Sequence, residues 1–265
     1  MVDGCGCILT LRIPICAVRF APPINDAGIR GGSIVEVALR ERGALETLLA
    51  GIQLFALMDP KALARIAKGA VRIDAARGIT LFRSGDPPDG LHAVVSGRVK
   101  LALPGNDSNE KVIALIGPGR IFGQSAMFVD EPHIVSAVTL TATTLVHVSK
   151  STIFACMRRN PEFAHLMAAA LSRQLRELIR AIASSSLYSG TERIISFILS
   201  EIPATASGPT TLTLPAKKRV IASRLDLTHE HFSRILHGLA AAHLIEVQGS
   251  QVIIPDVRRL RAYRT

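Results

Sequence analysis

The period of the sequence changes between residues 71 and 160, and this change excludes most folds. From about 71 to 150, short β-type runs alternate with glycine turns: "ITLFRSGD", "GLHAVVSGRVKLAL", "KVIALIGPGRIFG" and "SAVTLTATTLVHVS". Glycines punctuate them at 78, 85, 97, 105, 117, 119 and 123. Many short strands broken at such intervals predict a β-sandwich or barrel. At 151 the period becomes helical. "NPEFAHLMAAALSRQLRELIRAIASSS" starts at Asn160, a suitable N-cap, with Pro161 at the first helical position. Ala164, Ala168, Leu171, Leu175, Leu178 and Ile182 follow a 4-3-4-3-4 spacing. A heptad seam of that length calls for a partner helix, and Ser172, Arg173, Gln174, Arg176, Glu177 and Arg180 make the other faces polar. The expected dimer interface is therefore Leu171, Leu175, Leu178 and Ile182.

The flanks are organised differently. Residues 1–33 have no period and read as an irregular extension. Asp3, Arg12 and Arg19 make its start a poor signal peptide. No run of apolar residues is long enough to span a bilayer, so no membrane partner and a cytoplasmic location are expected. Residues 34–70 read as helical: Leu45, Leu48, Leu49 and Ile52 share one face, and Asp59-Pro60 begins a new helix. "SSSLYSG", 184–190, reads as a hinge. After it come a helix, a Pro/Gly/Thr-rich connection over 203–215, two short helices, and a hairpin around Gly249-Ser250. The expected domains are the extension 1–33, a helical lead-in and sensor 34–150, a dimerisation region 151–187 and a reading domain 188–265.

The reading domain carries the chemistry. "KKRVIASRL", 217–225, predicts one helix, and Asp226-Leu227-Thr228 turns the chain with Thr228 as the next N-cap. In "THEHFSRILHGL", Phe232, Ile235, Leu236 and Leu239 form one apolar stripe, while His229, Glu230, Ser233, Arg234 and His237 lie opposite. Two helices about a three-residue turn, followed by a hairpin, make a winged helix-turn-helix. Arg234 can donate a bidentate pair to guanine, Glu230 can accept from cytosine, Ser233 is small enough to touch a base, and His229 at the helix start is the fourth base-reading candidate. Lys217, Lys218, Arg219, Thr228 and His237 are candidates for phosphate contacts, which position without specifying. The formal net charge of +10 favours an anionic partner.

Other chemistries find less support. A helical zinc pair needs histidines at i and i+4, whereas His229 and His231 are two apart and point away from each other. No metal site is expected. Cys5, Cys7, Cys16 and Cys156 match no common cluster spacing and read as unpaired thiols. There is no Ser/His/Asp set, P-loop or dinucleotide glycine motif, so no enzyme is expected. A signalling module without DNA binding would lack the winged helix at 216–254.

In this order of parts, over about residues 45–258, the chain resembles the CRP/FNR family of bacterial transcription regulators. "GRIFGQSAMF" is similar to the family's effector-pocket segment, and "EHFSRIL" to its recognition helix. The resemblance implies an α+β fold: a jelly-roll β-roll of the cyclic-nucleotide-binding kind, a long dimerisation helix and a C-terminal winged helix-turn-helix. It implies a homodimer on a palindromic operator, with RNA polymerase as a further partner. It places the effector pocket at Gly123, Gln124, Ser125 and Ser136. Cyclic-AMP-binding members carry a glutamate after the pocket glycine and then an Arg-Ser pair. Here Gln124 and Val135-Ser136-Ala137 stand there, with no lysine or arginine between 121 and 149. Neither cyclic AMP nor an iron–sulfur cluster of the oxygen-sensing type is expected. "FGQSAMFVDEPHIVSAV" is most similar to members that respond to nitric oxide, for which haem is a candidate cofactor. His92, His133, His147 and His165 are the available axial ligands, and no motif singles one out. Glu230, Ser233 and Arg234 match the family's E-x-x-S-R reader, implying TTGAT-like half-sites in inverted repeat. His229 departs from that pattern at the outer base, and Asp226 replaces the usual turn glycine.

Overall fold

The computed structural model describes residues 34–37, 42–105 and 110–263. The expectations for residues 1–33, including Cys5, Cys7 and Cys16, lie outside them. Residues 34–70 are not helical throughout. Strand β1 (Ile34–Val37) pairs antiparallel with β2 (Ala70–Ala75). Helix α1 (Arg42–Ala50) and helix α2 (Pro60–Ala67) lie between them, separated by turns. Asp59 caps α2 as its sequence predicts: its carboxylate accepts from the Ala62 amide at 2.9 Å, and Pro60 needs no donor there.

The glycine-punctuated stretch folds as a roll of two antiparallel sheets. They are built from β2, β3 (Thr80–Phe82), β4 (Gly90–Ser96), β5 (Val99–Pro104), β6 (Glu110–Ile116), β7 (Ile121–Phe122), β8 (Ser136–Thr139) and β9 (Thr143–Ser149). One sheet runs β1-β2-β9-β4-β7 and the other β3-β8-β5-β6. A short helix, α3 (Gln124–Val129), interrupts the strands after Gly123. Phe82, Val94, Val99, Ile116, Phe122, Ala137 and Leu145 fill the space between the sheets. Gly97 turns β4 into β5 at φ +85, and a Cβ there would meet the Ala142 carbonyl at 2.5 Å. Only glycine combines that backbone with that approach.

Helix α4 (Lys150–Arg159) and the 27-residue α5 (Pro161–Leu187) follow. Asn160 caps α5, accepting from the Phe163 amide at 3.2 Å. Phe163, Met167 and Ala170 anchor its first turns in a core shared with α1, α2, β4 and β9, where Phe55 stacks on Phe163. The hinge reading of 184–190 is too long. Helix α5 continues to Leu187, and only Tyr188 and Ser189 leave the helical state before α6 (Gly190–Ser200), because a Ser189–Glu192 capping box starts that helix at once.

The C-terminal part has its own core, from Ile194 to Leu260. It contains α7 (Lys218–Arg224), α8 (His229–Ala241) and the hairpin β11 (Glu246–Gln248) and β12 (Gln251–Ile254). Two elements were not read from the sequence. Strand β10 (Thr210–Thr213), inside the supposed connection, pairs with β12 and makes the wing three-stranded. Helix α9 (Val257–Ala262) closes the core behind it, with Val257 and Leu260 buried. Among the described residues no helix is long and apolar enough to cross a membrane.

Candidate nucleic-acid interface and sensor interior

Helices α7 and α8 are held about a turn in which Asp226 adopts φ +57. Arg193, from α6, donates to the Leu225 carbonyl at 2.7 Å and so satisfies the end of α7. Thr228 caps α8, accepting from the His231 amide at 3.1 Å. Phe232, Leu236 and Leu239 are buried against the core and Ile235 is half-buried, as the stripe in the sequence requires. The opposite face is open: His229, Glu230, His231, Arg234 and His237 are exposed and Ser233 is half-exposed. Lys217 and Arg219 are exposed at the start of α7, and Lys218 is half-buried. A shallow cleft of about 330 Å³ runs between Lys217-Lys218 and the wing turn at Gly249-Ser250. Bases can thus be met by α8, and a phosphate backbone by the cationic rim beside the wing.

On α5, Leu171 is half-buried, whereas Leu175, Leu178 and Ile182 are 59%, 46% and 66% exposed. Ile179, exposed beside them, borders this apolar face.

The residues placed at the effector pocket do not share one environment. Gly123 turns into α3 at φ +87. Gln124 is buried, Ser136 is half-buried and accepts from the Ser84 amide at 3.0 Å, and Ser125 is exposed. Gln124 donates through Nε2 to Gln174 Oε1 of α5 at 2.6 Å, and Gln174 donates to the Ile121 carbonyl at 3.2 Å. Gln124 Oε1 is buried without a hydrogen-bond partner. Next to this amide pair lies a cavity of about 180 Å³, lined by Gln53, Arg120, Ile121, Arg173, Gln174 and Glu177.

Three of the four histidines considered as haem ligands meet inside the roll, a grouping that their sequence positions did not reveal. His133 stacks on Phe82 at 3.8 Å between centroids, His92 stacks on Phe122 at 5.1 Å, and His92 lies 4.7 Å from His147. His147 faces Asp89 at 3.3 Å. His165 is exposed on α5. Burial, reinforced by neighbouring His147, pushes His92 down to about 3, so its ring is neutral. Burial also lowers His133. Burial favours the neutral form of Asp89, but the hydrogen bond and charge of His147 hold its carboxyl below the usual value overall. The rings touch one another, so a porphyrin would have to displace Phe82 or Phe122. This arrangement does not fit a haem. Among the described residues no group of three or more His, Cys, Asp or Glu side chains is placed to hold a metal ion.

A two-sheet roll, a long helix with an open apolar face and a winged helix-turn-helix define a class: a DNA-binding transcription regulator with an attached sensor domain. The family model for the cyclic nucleotide-binding domain matches residues 72–160, and that for the Crp-like helix-turn-helix domain matches 192–263. The chain belongs to the CRP/FNR family of transcription regulators. It is 26% identical over 219 residues to the CRP-like cAMP-activated global transcriptional regulator of Mycobacterium tuberculosis, covering 82% of this chain and 98% of that protein. It is 29% identical over 184 residues to the cyclic AMP receptor protein of Thermus thermophilus, covering 69% and 83%. The structure of FixK2 from Bradyrhizobium japonicum has the same fold, with a TM-score of 0.66 at 22% identity over 74% of this chain and 99% of that one.

Proposed function

We propose that the chain acts in the cytoplasm as a homodimer, binds a palindrome of TTGAT-type half-sites, engages RNA polymerase and responds to a small uncharged signal, nitric oxide or low oxygen. The observation that carries the DNA-binding part is the coexistence of two open faces: the polar face of α8 and the apolar face of α5. Pairing α5 with a second copy would bury Leu175, Leu178 and Ile182 and present two reading helices to successive major grooves. The uncharged signal is supported by the roll interior, where neutral, aromatic-stacked histidines stand and residues 121–149 carry no lysine or arginine to meet a cyclic phosphate. A second reading, response to a cyclic nucleotide, is favoured by the names of the two relatives.

Operator binding measured by mobility shift on an inverted repeat of TTGAT, without oxygen, decides between them. Nitric oxide or oxygen should change the affinity and cyclic AMP should not. Binding that requires cyclic AMP would overturn the uncharged-signal reading.

A further inference from the structure

The sensor roll grips the reading domain along strand β6, and the grip spares the reading face. Strand β6 is the edge of its sheet. Its outward amide at Val112 donates to Ser223 Oγ of α7 at 3.0 Å, and that hydroxyl donates to the Glu110 carbonyl at 3.0 Å. One serine thus bonds one amide and one carbonyl of the strand's open edge. Lys111 donates to the Ser223 carbonyl at 2.8 Å and pairs with the Asp226 carboxylate, 115 positions away. Arg98, at the β4–β5 turn, lies 3.6 Å from Glu201 at the end of α6.

Asp226 is the informative residue. It occupies a left-handed turn that glycine adopts without strain and that any side chain disfavours. Its carboxylate meets a lysine of the sensor. The contact uses the end of α7 and the back of the turn, while His229, Glu230, Arg234 and His237 remain exposed.

We propose that Lys111, Ser223 and Asp226 form a positioning clamp that sets the angle of α8 relative to the dimerisation helix, so that a dimer engages both half-sites of its operator at once. The inference rests on the proposed function and adds to it the residues that orient the reader. DNA binding by a dimer gains from a second half-site only if the second head is already aimed at it; a head free to swing must be ordered on binding. The clamp therefore acts on the gain from the second half-site and leaves the affinity of one head for one half-site alone.

Two measurements on the full chain test it. Hydrogen exchange reads the clamp without DNA: the Val112 amide should be protected in the parent protein. It should lose protection in Asp226→Gly, which relaxes the turn backbone, and in Lys111→Ala, neither of which removes its hydrogen-bond acceptor. Dissociation constants are then taken on a duplex with two TTGAT half-sites in inverted repeat and on one with a single half-site. Both variants should shrink the preference for the two-site duplex by about three- to tenfold, the scale of losing a half-exposed ion pair in each protomer. Any common change in both constants reports local charge and cancels in the ratio. Fast exchange at Val112 in the parent protein overturns the clamp. So does an unchanged ratio, and a larger ratio in the variants would make the contact inhibitory. If the parent protein ignores both duplexes while Val112 is protected, the half-site reading fails instead. The ratio is then measured on a palindrome selected from random duplexes, with the same outcomes deciding.

Discussion

Arg234 and Phe232 are near neighbours in sequence, yet one is exposed and the other buried, because α8 turns them to opposite sides. That separation gives Arg234 a testable role. Arg234→Ala should cost about 1–3 kcal/mol on the operator and relax discrimination at one base pair; mobility shifts on base-substituted half-sites would read it. Equal discrimination before and after the change would remove the residue from base reading. The sensor histidines make a different prediction. In the unfolded chain His92 takes up a proton as pH falls through about 6.5. In the fold it does so only near 3. Between those values the unfolded state binds more protons, so stability declines as pH falls, by up to about 1.4 kcal/mol per pH unit for each such group, and levels off below. His133, also lowered, adds to the slope. His92→Phe keeps a ring against Phe122, so the change in denaturation midpoint between neutral and mildly acidic solution should become smaller. An unchanged slope would mean that His133 and Asp89 govern it.

Helix α5 shows what a period reveals and what it does not. Its start, its cap at Asn160 and its apolar seam were legible, because spacing along a helix maps directly onto faces. Its C-terminal end was not. The serine run suggested a hinge, but helical geometry persists through Leu187 and the capping box of α6 takes over. The exposed part of the seam gives a clean experiment. Leu178→Arg with Ile182→Glu should leave each chain folded, since both side chains are exposed in the single chain. Sedimentation should then show dimers for the parent protein and monomers for the variant. Dimers that survive would place the interface elsewhere. The β4–β5 turn is the opposite case. Gly97→Ala forces a Cβ onto the Ala142 carbonyl at positive φ, so thermal unfolding should shift down markedly. Strand β10 and α9 escaped sequence reading for a common reason. Each is short, and its place is set by partners distant in sequence, Ile254 for Thr210 and the reading-domain core for Leu260.

At the scale of the molecule, the order of parts was readable because the sequence changes period at each boundary. The candidate site was legible only where it is local. Glu230, Ser233 and Arg234 belong to one helix, so one window of sequence displays them. The histidine cluster and the Gln124–Gln174 pair are assembled by sheet pairing and by the return of α5, and no window holds both halves. The same holds for Lys111 and Asp226. Asp226 was visible in the sequence as a departure from the turn glycine, but the reason for it lies across the molecule.

Strand β6 carries a further consequence. A sheet edge with free amides and carbonyls is a template on which another chain can add a strand. Here the hydroxyl of Ser223 occupies one amide and one carbonyl at the start of that template, and it can do so only while the reading domain stays docked. A substitution that loosens docking would therefore expose a sticky edge as well as misdirect α8, and loss of solubility in concentrated samples would accompany the loss of two-site binding.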